Sequence, residues 1–271
     1  MAFKFEIPEA VKKELAERDA MQEKESKSKA DIIRFPNCPP AHQAAPSAIL
    51  RSALFGVNKR GRREHLENVD IAAWENVKIT YTGAKLSQSD QDVWLACVEA
   101  CSRQKSTTIN CSRSFLMKLA GRKVGDTKRM WIDLVRLKST TLIIDNGKRR
   151  YAGSLIASVA EDDESGMVII DLDSKIFELF GGNVTHIETS TRHALSGDLT
   201  KWLHGYVLSH KSTWRKPHWI GLGKLQSLTG SKTTEKRKFR QMLRKSMGKL
   251  KAQDVVSGWK LEDDILTLWR P

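Results

Sequence analysis

Residues 234–251 read TEKRKFRQMLRKSMGKLK, a basic segment whose apolar residues recur with the period of an α-helix. At about 100° per residue, one broad face of that helix collects the side chains that a core would bury. These inward residues are Phe239, Met242, Leu243, Ser246, Met247 and Leu250. The outward face and its flanks carry polar and basic residues, namely Thr234, Arg237, Lys238, Gln241, Arg244, Lys245 and Gly248. A cationic helix with a separate apolar face is typical of a folded domain that binds a polyanion.

The positive charge of the chain is concentrated around that helix. The 271 residues carry a formal net charge of +14, and residues 181–271 hold 17 Lys and Arg against 7 Asp and Glu. This imbalance favours a phosphate-bearing partner, and nucleic acid is the polyanion that fits it best. No apolar run approaches the roughly 20 residues of a membrane span, and the N-terminus lacks the apolar core of a signal peptide. We therefore expect a cytoplasmic protein that does not bind membranes.

Residues 1–48 are expected to form a charged N-terminal arm followed by a proline-rich linker. Acidic and basic residues alternate through residues 8–29, where few apolar side chains give a helix anything to bury. Four prolines then predict irregular structure: Pro36, Pro39, Pro40 and Pro46. The folded part is expected to begin near Ile49.

Residues 49–182 show the element order of a winged helix, which is a helix-turn-helix followed by a β-hairpin. A strand that alternates polar and apolar residues comes first, at residues 76–81, and a further strand is expected at residues 167–172. Between them, Ser89 with Asp92 is expected to open the first of three helices. The second and third helices and the two hairpin strands are predicted at Ser112–Ala120, Asp126–Lys138, Thr140–Ile144 and Tyr151–Val159. Asp145-Asn146-Gly147 supplies a strong hairpin turn between those strands.

Residues 183–271 repeat the same order of elements. Their helices are expected at Asp198–Ser209 and Leu222–Leu228 and in the basic segment, before a hairpin of Val255–Leu261 and Ile265–Trp269. The predicted fold is therefore α+β, with two tandem winged-helix domains behind a flexible N-terminal arm. The first is expected to contact the DNA backbone and to use other surfaces for partners, and the second to bind specific DNA sites.

The outward face of the basic helix carries the predicted DNA contacts. Arg and Gln form bidentate hydrogen bonds to guanine and adenine edges in a major groove, which suits Arg237, Gln241 and Arg244. Lysines suit phosphates, which position a protein without specifying sequence. This role is expected for Lys238 and Lys245, with Lys232 and Thr234 at the start of the helix. The alternative is a charged face that is merely solvated, as on many exposed helices.

The third helix of the first domain offers a weaker set of candidate contacts. Its outward face is expected to hold Arg129, Ile132, Asp133 and Arg136, of which the two arginines are candidate DNA contacts. The hairpin tip is more clearly suited to phosphates, because it reads Lys148-Arg149-Arg150.

Motifs for catalysis, cofactors and metals do not emerge from the sequence. Gly221-x-Gly223-Lys224 does not match a phosphate-binding loop. The His-x-His pair of rolling-circle nickases is missing, and the last tyrosine, Tyr206, precedes the basic helix. Two sets of residues are expected to be structural, namely the histidines His204, His210 and His218 and the reduced thiols Cys38, Cys97, Cys101 and Cys111. We predict a protein without enzymatic activity, catalytic residues, bound metal or cofactor.

Several stretches together resemble the TrfA family of plasmid replication initiators. Arg51-Ser52-Ala53-Leu54-Phe55 and Asn58-Lys59-Arg60 are followed by Asn76-Val77-Lys78-Ile79-Thr80-Tyr81-Thr82-Gly83 and Gln91-Asp92-Val93-Trp94. The run from Val77 to Gly83 is the most specific part. The resemblance covers about residues 50–271.

This resemblance implies a pair of winged-helix domains that bind directly repeated sites, called iterons, at a plasmid origin. Initiators of this kind open an adjacent AT-rich segment, whose single strands are then a further DNA partner. They recruit the chromosomal initiator DnaA, the replicative helicase and the sliding clamp, and exist as homodimers in equilibrium with monomers. In that family a Gln-Leu-x-Leu-Phe segment binds the clamp. The corresponding residues here are Ile32, Ile33 and Phe35, without the Gln.

A tandem winged-helix transcriptional repressor that regulates its own promoter is the alternative. Several direct repeats beside an AT-rich run near the gene would indicate an origin. A single inverted repeat would indicate an operator.

Overall fold

The computed structural model describes residues 36–271 except 59, 60, 62, 75, 124 and 179–182. The predicted arm over residues 8–29 and the clamp-binding candidates Ile32, Ile33 and Phe35 lie outside the described residues. All described residues belong to one compact unit.

Helices and short strands alternate along the described chain. The helices are α1 Ser47–Leu50, α2 Gln88–Gln104, α3 Arg113–Leu119, α4 Thr127–Lys138, α5 Lys175–Glu178, α6 Thr189–Ala194, α7 Asp198–Ser209, α8 Leu222–Thr229 and α9 Lys236–Ala252. The strands are β1 His42–Pro46, β2 Phe55–Gly56, β3 His65–Ile71, β4 Lys78–Ala84, β5 Leu86–Ser87, β6 Thr108–Ser112, β7 Thr141–Asp145, β8 Arg150–Gly153, β9 Ser158–Asp162, β10 Met167–Asp171, β11 Val184–Glu188, β12 His218–Gly221, β13 Gly258–Glu262 and β14 Ile265–Trp269. This mixture confirms the predicted α+β class.

Two hydrophobic cores divide the fold into two lobes. In the first lobe, helix α2 is buried along most of its length, and Trp94 stacks between Phe55 and Phe177. In the second lobe, α7, α8 and α9 enclose a core in which Trp202 stacks on Tyr206 at 5.0 Å between ring centroids. Each lobe therefore has its own apolar interior.

The two lobes repeat one topology. In the first, α2 is followed by β6, α3, α4 and the β9–β10 hairpin, and the strand order in the sheet is β6-β10-β9. In the second, α7 is followed by β12, α8, α9 and the β13–β14 hairpin, with the order β12-β14-β13. In both, the strand leads directly into the second helix and pairs with the far strand of the hairpin. The predicted repeat in element order is confirmed at this level.

The hairpin of the first lobe is not the one that the sequence suggested. The Asp145-Asn146-Gly147 turn does join β7 to β8, but β7 also pairs with β4, within a separate sheet of order β3-β4-β7-β8. The predicted strand Tyr151–Val159 is broken, because Leu155 and Ile156 are buried one after the other. The chain turns there and starts β9, which forms the hairpin of the repeat.

The predicted irregular linker contains a strand. β1 pairs antiparallel with β11, and Ala44 and Ala45 are fully buried. Pro46 is tolerated because it ends a strand of a two-stranded sheet, where its missing N–H disrupts no inner ladder. The expectation of irregular structure is therefore wrong for residues 42–46. The division into functional domains at residues 48 and 182 stays a prediction.

The capping box of α2 lies two residues before the predicted one. The Ser87 backbone N–H donates to Asp90 Oδ2 at 2.7 Å, and the Ser87 hydroxyl donates to the same atom at 2.8 Å. Asp92, which was expected in this role, instead faces the second lobe.

One buried arginine connects the two lobes. The side chain of Arg192, fully buried on α6, donates through Nε to Asp92 Oδ1 at 2.8 Å and through Nη2 to Gln88 and Gln91 at 2.8 and 3.1 Å. Its Nη1 donates to the carbonyl of Lys201 on α7 at 2.7 Å. Lys201 Nζ completes the cluster at 2.5 Å from Asp92 Oδ2. The guanidinium thus joins α2 of the first lobe to α7 of the second.

Replacing this arginine should destabilise the whole fold. Arg192→Ala leaves Asp92 with only the Lys201 ammonium, and removal of one partner of a buried pair typically lowers the free energy of unfolding by about 3–5 kcal/mol. Urea denaturation followed by circular dichroism measures the loss. Arg150→Ala removes an exposed pair with Asp145 and should leave the midpoint unchanged. Equal midpoints for the two variants would contradict the role given to Arg192.

Candidate nucleic-acid interface

The inward face of α9 is as predicted. Phe239, Leu243, Ser246, Met247 and Leu250 are buried, and the half-buried Met242 packs against the same core. Ser246 is the polar member of this face, and Thr200 Oγ1 on α7 donates to its hydroxyl at 3.1 Å. This packing fixes which side of the helix faces solvent.

The outward face of α9 is exposed and cationic. Its exposed residues are Arg237, Lys238, Gln241, Arg244, Lys245 and Gly248, and the exposed Thr234, which was expected within the helix, lies just before it. The helix contains no Asp or Glu, and no described atom lies within 4 Å of the position that a Cβ at Gly248 would take. A phosphate backbone or a groove wall could therefore approach the helix closely along this side.

Two cations near α9 are held by acidic partners. Arg240 Nε donates to Asp264 Oδ1 at 3.0 Å, which ties the helix to the turn between β13 and β14. Lys232 Nζ lies 2.6 Å from Glu64 Oε2, and this hydrogen bond lowers the pKa of Glu64. A phosphate could bind Lys232 only by displacing the Glu64 carboxylate. For the cations on the outward face of α9, no such acidic partner has to be displaced among the described residues.

Helix α4 buries Met130, Leu134 and Leu137 as predicted, but two of its four predicted outward residues are not exposed. Arg129 and Ile132 are exposed, as expected. Asp133 is buried, however, and Arg136 lies with its Nη1 at 2.5 Å from both Asp90 and Asp133. The expectation that Asp133 and Arg136 face outward is wrong, and Arg136 has two carboxylate partners inside the fold.

These carboxylates are shared with further arginines. Arg63 Nη1 lies 2.6 Å from Asp90, and Arg122 pairs with Asp133. The resulting network holds α4 against the N-terminus of α2 and accounts for the inward positions of Asp133 and Arg136. Neither Arg63 nor Arg122 has a periodic pattern around it that would indicate this role from sequence.

The basic tip of the β7–β8 hairpin is exposed, as predicted. Lys148, Arg149 and Arg150 all reach solvent, although Arg150 Nη2 pairs with Asp145 at 3.0 Å. This tip belongs to the four-stranded sheet. The hairpin of the repeat, β9–β10, has an acidic turn instead, with Glu161 held 2.9 Å from Arg113. Of these two hairpins, β7–β8 therefore offers the better candidate site for phosphate.

A groove runs between the two lobes and reaches both α4 and α9. It consists of three adjoining cavities of about 390, 400 and 630 Å³, and Asn58 lines all of them. Arg129 and Ile132 of α4 line one end, and Lys245 and Lys249 of α9 line another. Sequence patterns did not reveal this groove, because it forms between residues far apart in the chain.

The three histidines of the second lobe are structural, as expected. Burial lowers the pKa of His204 to about 3 and that of His210 to about 3. The same cause lowers the pKa of His218 to about 4, and its Nε2 lies 2.8 Å from the hydroxyl of Tyr206. His210 and His218 stack at 4.0 Å between ring centroids. Aromatic neighbours, not carboxylates at ligand spacing, surround this pair.

The cysteines are also internal groups. Cys97, Cys101 and Cys111 are buried and unbridged, and burial raises the pKa of Cys101 to about 12 and that of Cys111 to about 11. Within the described residues, no group of three or more His, Cys, Asp or Glu side chains is arranged to hold a metal ion. None of the helices described is both long and apolar enough to span a bilayer.

Comparison with known sequences gives one family match and one related initiator. Residues 96–270 match the sequence profile of replication protein C (RepC). The chain is similar to the plasmid replication initiator protein TrfA of Escherichia coli, with 24 % identity in an alignment that covers 96 % of this chain and 70 % of that protein.

Two solved structures have a similar fold. Domains 2 and 3 of RctB align with a TM-score of 0.57 over 83 % of this chain and 98 % of theirs, at 13 % identity. The Pi initiator protein in complex with iteron DNA aligns with a TM-score of 0.51 over 68 % of this chain and 93 % of its own, at 11 % identity.

The buried histidines predict how stability depends on pH. Their pKa values lie below the ordinary 6.5 in the folded state, so the unfolded chain binds more protons as the pH falls from about 6.5 towards 4. Stability should therefore decrease across that window, measured as urea midpoints at pH 7.5 and 5.0. His204→Asn should flatten this dependence, whereas His65→Gln, at an exposed site, should not. Identical slopes in all three proteins would contradict the assignment.

Proposed function

This chain belongs to the replication protein C (RepC) family, and we propose that it initiates plasmid replication by binding iterons at the plasmid origin. The observation that carries this proposal is the exposed, acid-free cationic face of α9, which is fixed outward by a buried apolar face. The similarity in fold to the Pi initiator, whose structure contains iteron DNA, supports duplex DNA as the ligand.

Each lobe acts as a winged helix in this proposal. The order of helix, strand, helix, helix and hairpin, with the hairpin paired back onto the strand, is the arrangement that such a domain requires. In the second lobe, α8 and α9 form the helix-turn-helix, and α9 enters the major groove. The β13–β14 hairpin is the wing, held to α9 through Arg240 and Asp264.

The side chains of α9 divide between bases and phosphates. Arg237, Gln241 and Arg244 form bidentate hydrogen bonds to base edges, since guanidinium and amide groups match guanine and adenine. Lys238 and Lys245 on the flanks contact phosphates and set the register of the helix on the duplex.

The first lobe contributes backbone contacts and self-association. Arg129 on α4 and the Lys148–Arg150 tip contact phosphates, because these cations are exposed. Arg136 does not take part, because Asp90 and Asp133 hold it inside the fold. Dimerisation through this lobe, in equilibrium with monomers, would keep part of the protein from binding iterons.

Origin opening follows from binding without any covalent chemistry by this chain. Several copies on adjacent iterons would deform the duplex and favour separation of the AT-rich segment, since bending stress can be relieved by melting. Recruitment of DnaA, the helicase and the sliding clamp completes the proposed role, which is performed in the cytoplasm and involves no bond made or broken by the protein.

Base-contacting and phosphate-contacting residues should respond differently to substitution. Arg237→Ala should weaken iteron binding by about 1–3 kcal/mol and relax the preference at one base pair. Lys238→Ala should weaken binding to all duplexes alike and reduce the slope of log K against log salt by about one. Fluorescence anisotropy with the plasmid's own iteron, single-base variants of it and a scrambled duplex measures both effects.

The matched control for these variants is Arg103→Ala, at a half-exposed arginine in the last turn of α2 in the first lobe. It should leave iteron affinity, sequence preference and salt slope unchanged. If Arg237→Ala behaves like this control, α9 does not contact bases and the proposed binding mode is wrong.

Deletion of residues 1–30 should separate DNA binding from recruitment. Iteron affinity should stay within about twofold of the full chain, because the proposed contacts all lie in residues 129–245. Plasmid replication should fall in at least some hosts, measured as transformation frequency. Loss of iteron binding in the truncated protein would contradict the placement of the proposed DNA contacts in residues 129–245.

A further inference from the structure

Two tryptophans of the second lobe stand open to solvent. Trp214 is 71 % exposed and Trp219 is 68 % exposed, more than the other large apolar side chains of the described chain. Tryptophan side chains are on average largely buried. Neither residue belongs to the face of α9 that the proposed function uses.

Trp214 lies at the tip of a tight turn between α7 and β12. Thr213 and Lys216 exchange two backbone hydrogen bonds, each 3.1 Å long, so Trp214 and Arg215 occupy the two tip positions. The Arg215 guanidinium lies 5.0 Å from the centroid of the Trp214 ring. The turn thus presents an indole together with the cation that stacks on it.

Trp219 stands on the outer side of the adjoining sheet. Its neighbour Ile220 points into the core, so the alternation of the strand directs the indole outward. β12 is an edge strand, and Trp219 is in register with Thr267 of β14, which is in register with Lys260 of β13. The two tryptophans are five positions apart in the chain, which limits the distance between their Cα atoms to about 18 Å.

The segment that carries the two indoles has charged residues of one sign only. The turn itself carries exposed Lys211, Arg215 and Lys216, and no Asp or Glu occurs between Asp198 and Glu235. An indole stacks on the face of a base, and such faces are covered by neighbouring bases inside a duplex. Unpaired strands expose them, next to phosphates that cations can hold.

We infer that Trp214 and Trp219 form a platform for single-stranded DNA, separate from the duplex-binding face of α9. Bases of the unpaired strand stack on the two indoles, and Arg215 and Lys216 hold its phosphates. The inference rests on the proposed function and deepens it by assigning residues to the single strand that is released when the origin opens. Binding by stacking is independent of sequence, because every base has a flat face.

Substitution of both tryptophans tests the platform. The probe is a labelled 20-residue oligothymidylate, and the variant carries Trp214→Ala and Trp219→Ala in the full chain. Anisotropy titration should show about 10- to 100-fold weaker binding of the probe, as expected for the loss of one or two stacked bases. Affinity for an iteron duplex should stay within about twofold of the parent.

Two further proteins control for folding and for general loss of apolar surface. Trp214→Tyr with Trp219→Tyr should bind the oligothymidylate within about fivefold of the parent, since a phenol ring also stacks on bases. Ile169→Ala, at an exposed apolar residue of the first lobe, should leave both affinities unchanged.

Unchanged oligothymidylate binding in the double alanine variant would overturn the inference. A protein partner would then be the better explanation of the two exposed indoles. Equal loss of duplex and single-strand binding would also overturn it, because the platform would then belong to the duplex surface. A parent protein that binds oligothymidylate through these residues but ignores iterons would support the platform and contradict the proposed function.

Discussion

The arrangement of the two lobes depends on the buried guanidinium of Arg192, together with neutral contacts such as the 2.9 Å hydrogen bond from Trp202 Nε1 to the Ser52 carbonyl. The guanidinium bonds the Asp92 carboxylate and two amides of α2 on one side and a carbonyl of α7 on the other. A charge removed from water is tolerated only while such partners remain in place. Because those partners come from both lobes, the lobes keep one relative position. The groove that reaches from α4 to α9 exists only in that arrangement.

Lysines and arginines are frequent in both lobes, but the examples below differ in whether an acidic side chain pairs with them. In the first lobe, Arg63, Arg122 and Arg136 neutralise Asp90 and Asp133 and serve the packing of α4 against α2. In the second lobe, the cations on the outward face of α9 meet solvent and no acid of their own helix. Formal charge alone does not distinguish these roles. The α9 cations that we propose bind DNA, namely Arg237, Lys238, Arg244 and Lys245, have no acidic partner among the described residues.

Sequence patterns predicted the features that depend on residues close together in the chain. The two faces of α9 followed from helical periodicity, because a 3.6-residue period separates Phe239 and Leu243 from Arg237 and Gln241. The β7–β8 hairpin followed from its Asn-Gly turn. The partner strand of β7 did not, since its pairing with β4 joins residues 59 to 67 positions apart. The same limit applies to β1, whose partner β11 lies at the other end of the first lobe. A helical wheel likewise predicted the buried face of α4. It did not predict the ion pairs with Asp90 and Asp133 that draw Arg136 inward.

Site-directed cleavage from α9 tests the central claim most directly, namely that this helix lies in a duplex groove at the plasmid origin. An iron chelate attached at Gln241→Cys, in a chain whose half-buried Cys38 is replaced by Ser, generates radicals that cut nearby DNA. We expect one cluster of cuts in each iteron, with a spacing equal to the repeat length and with the same chelate at Ile169→Cys giving none. Absence of cuts from position 241, or cuts of equal strength from both positions, would contradict the account.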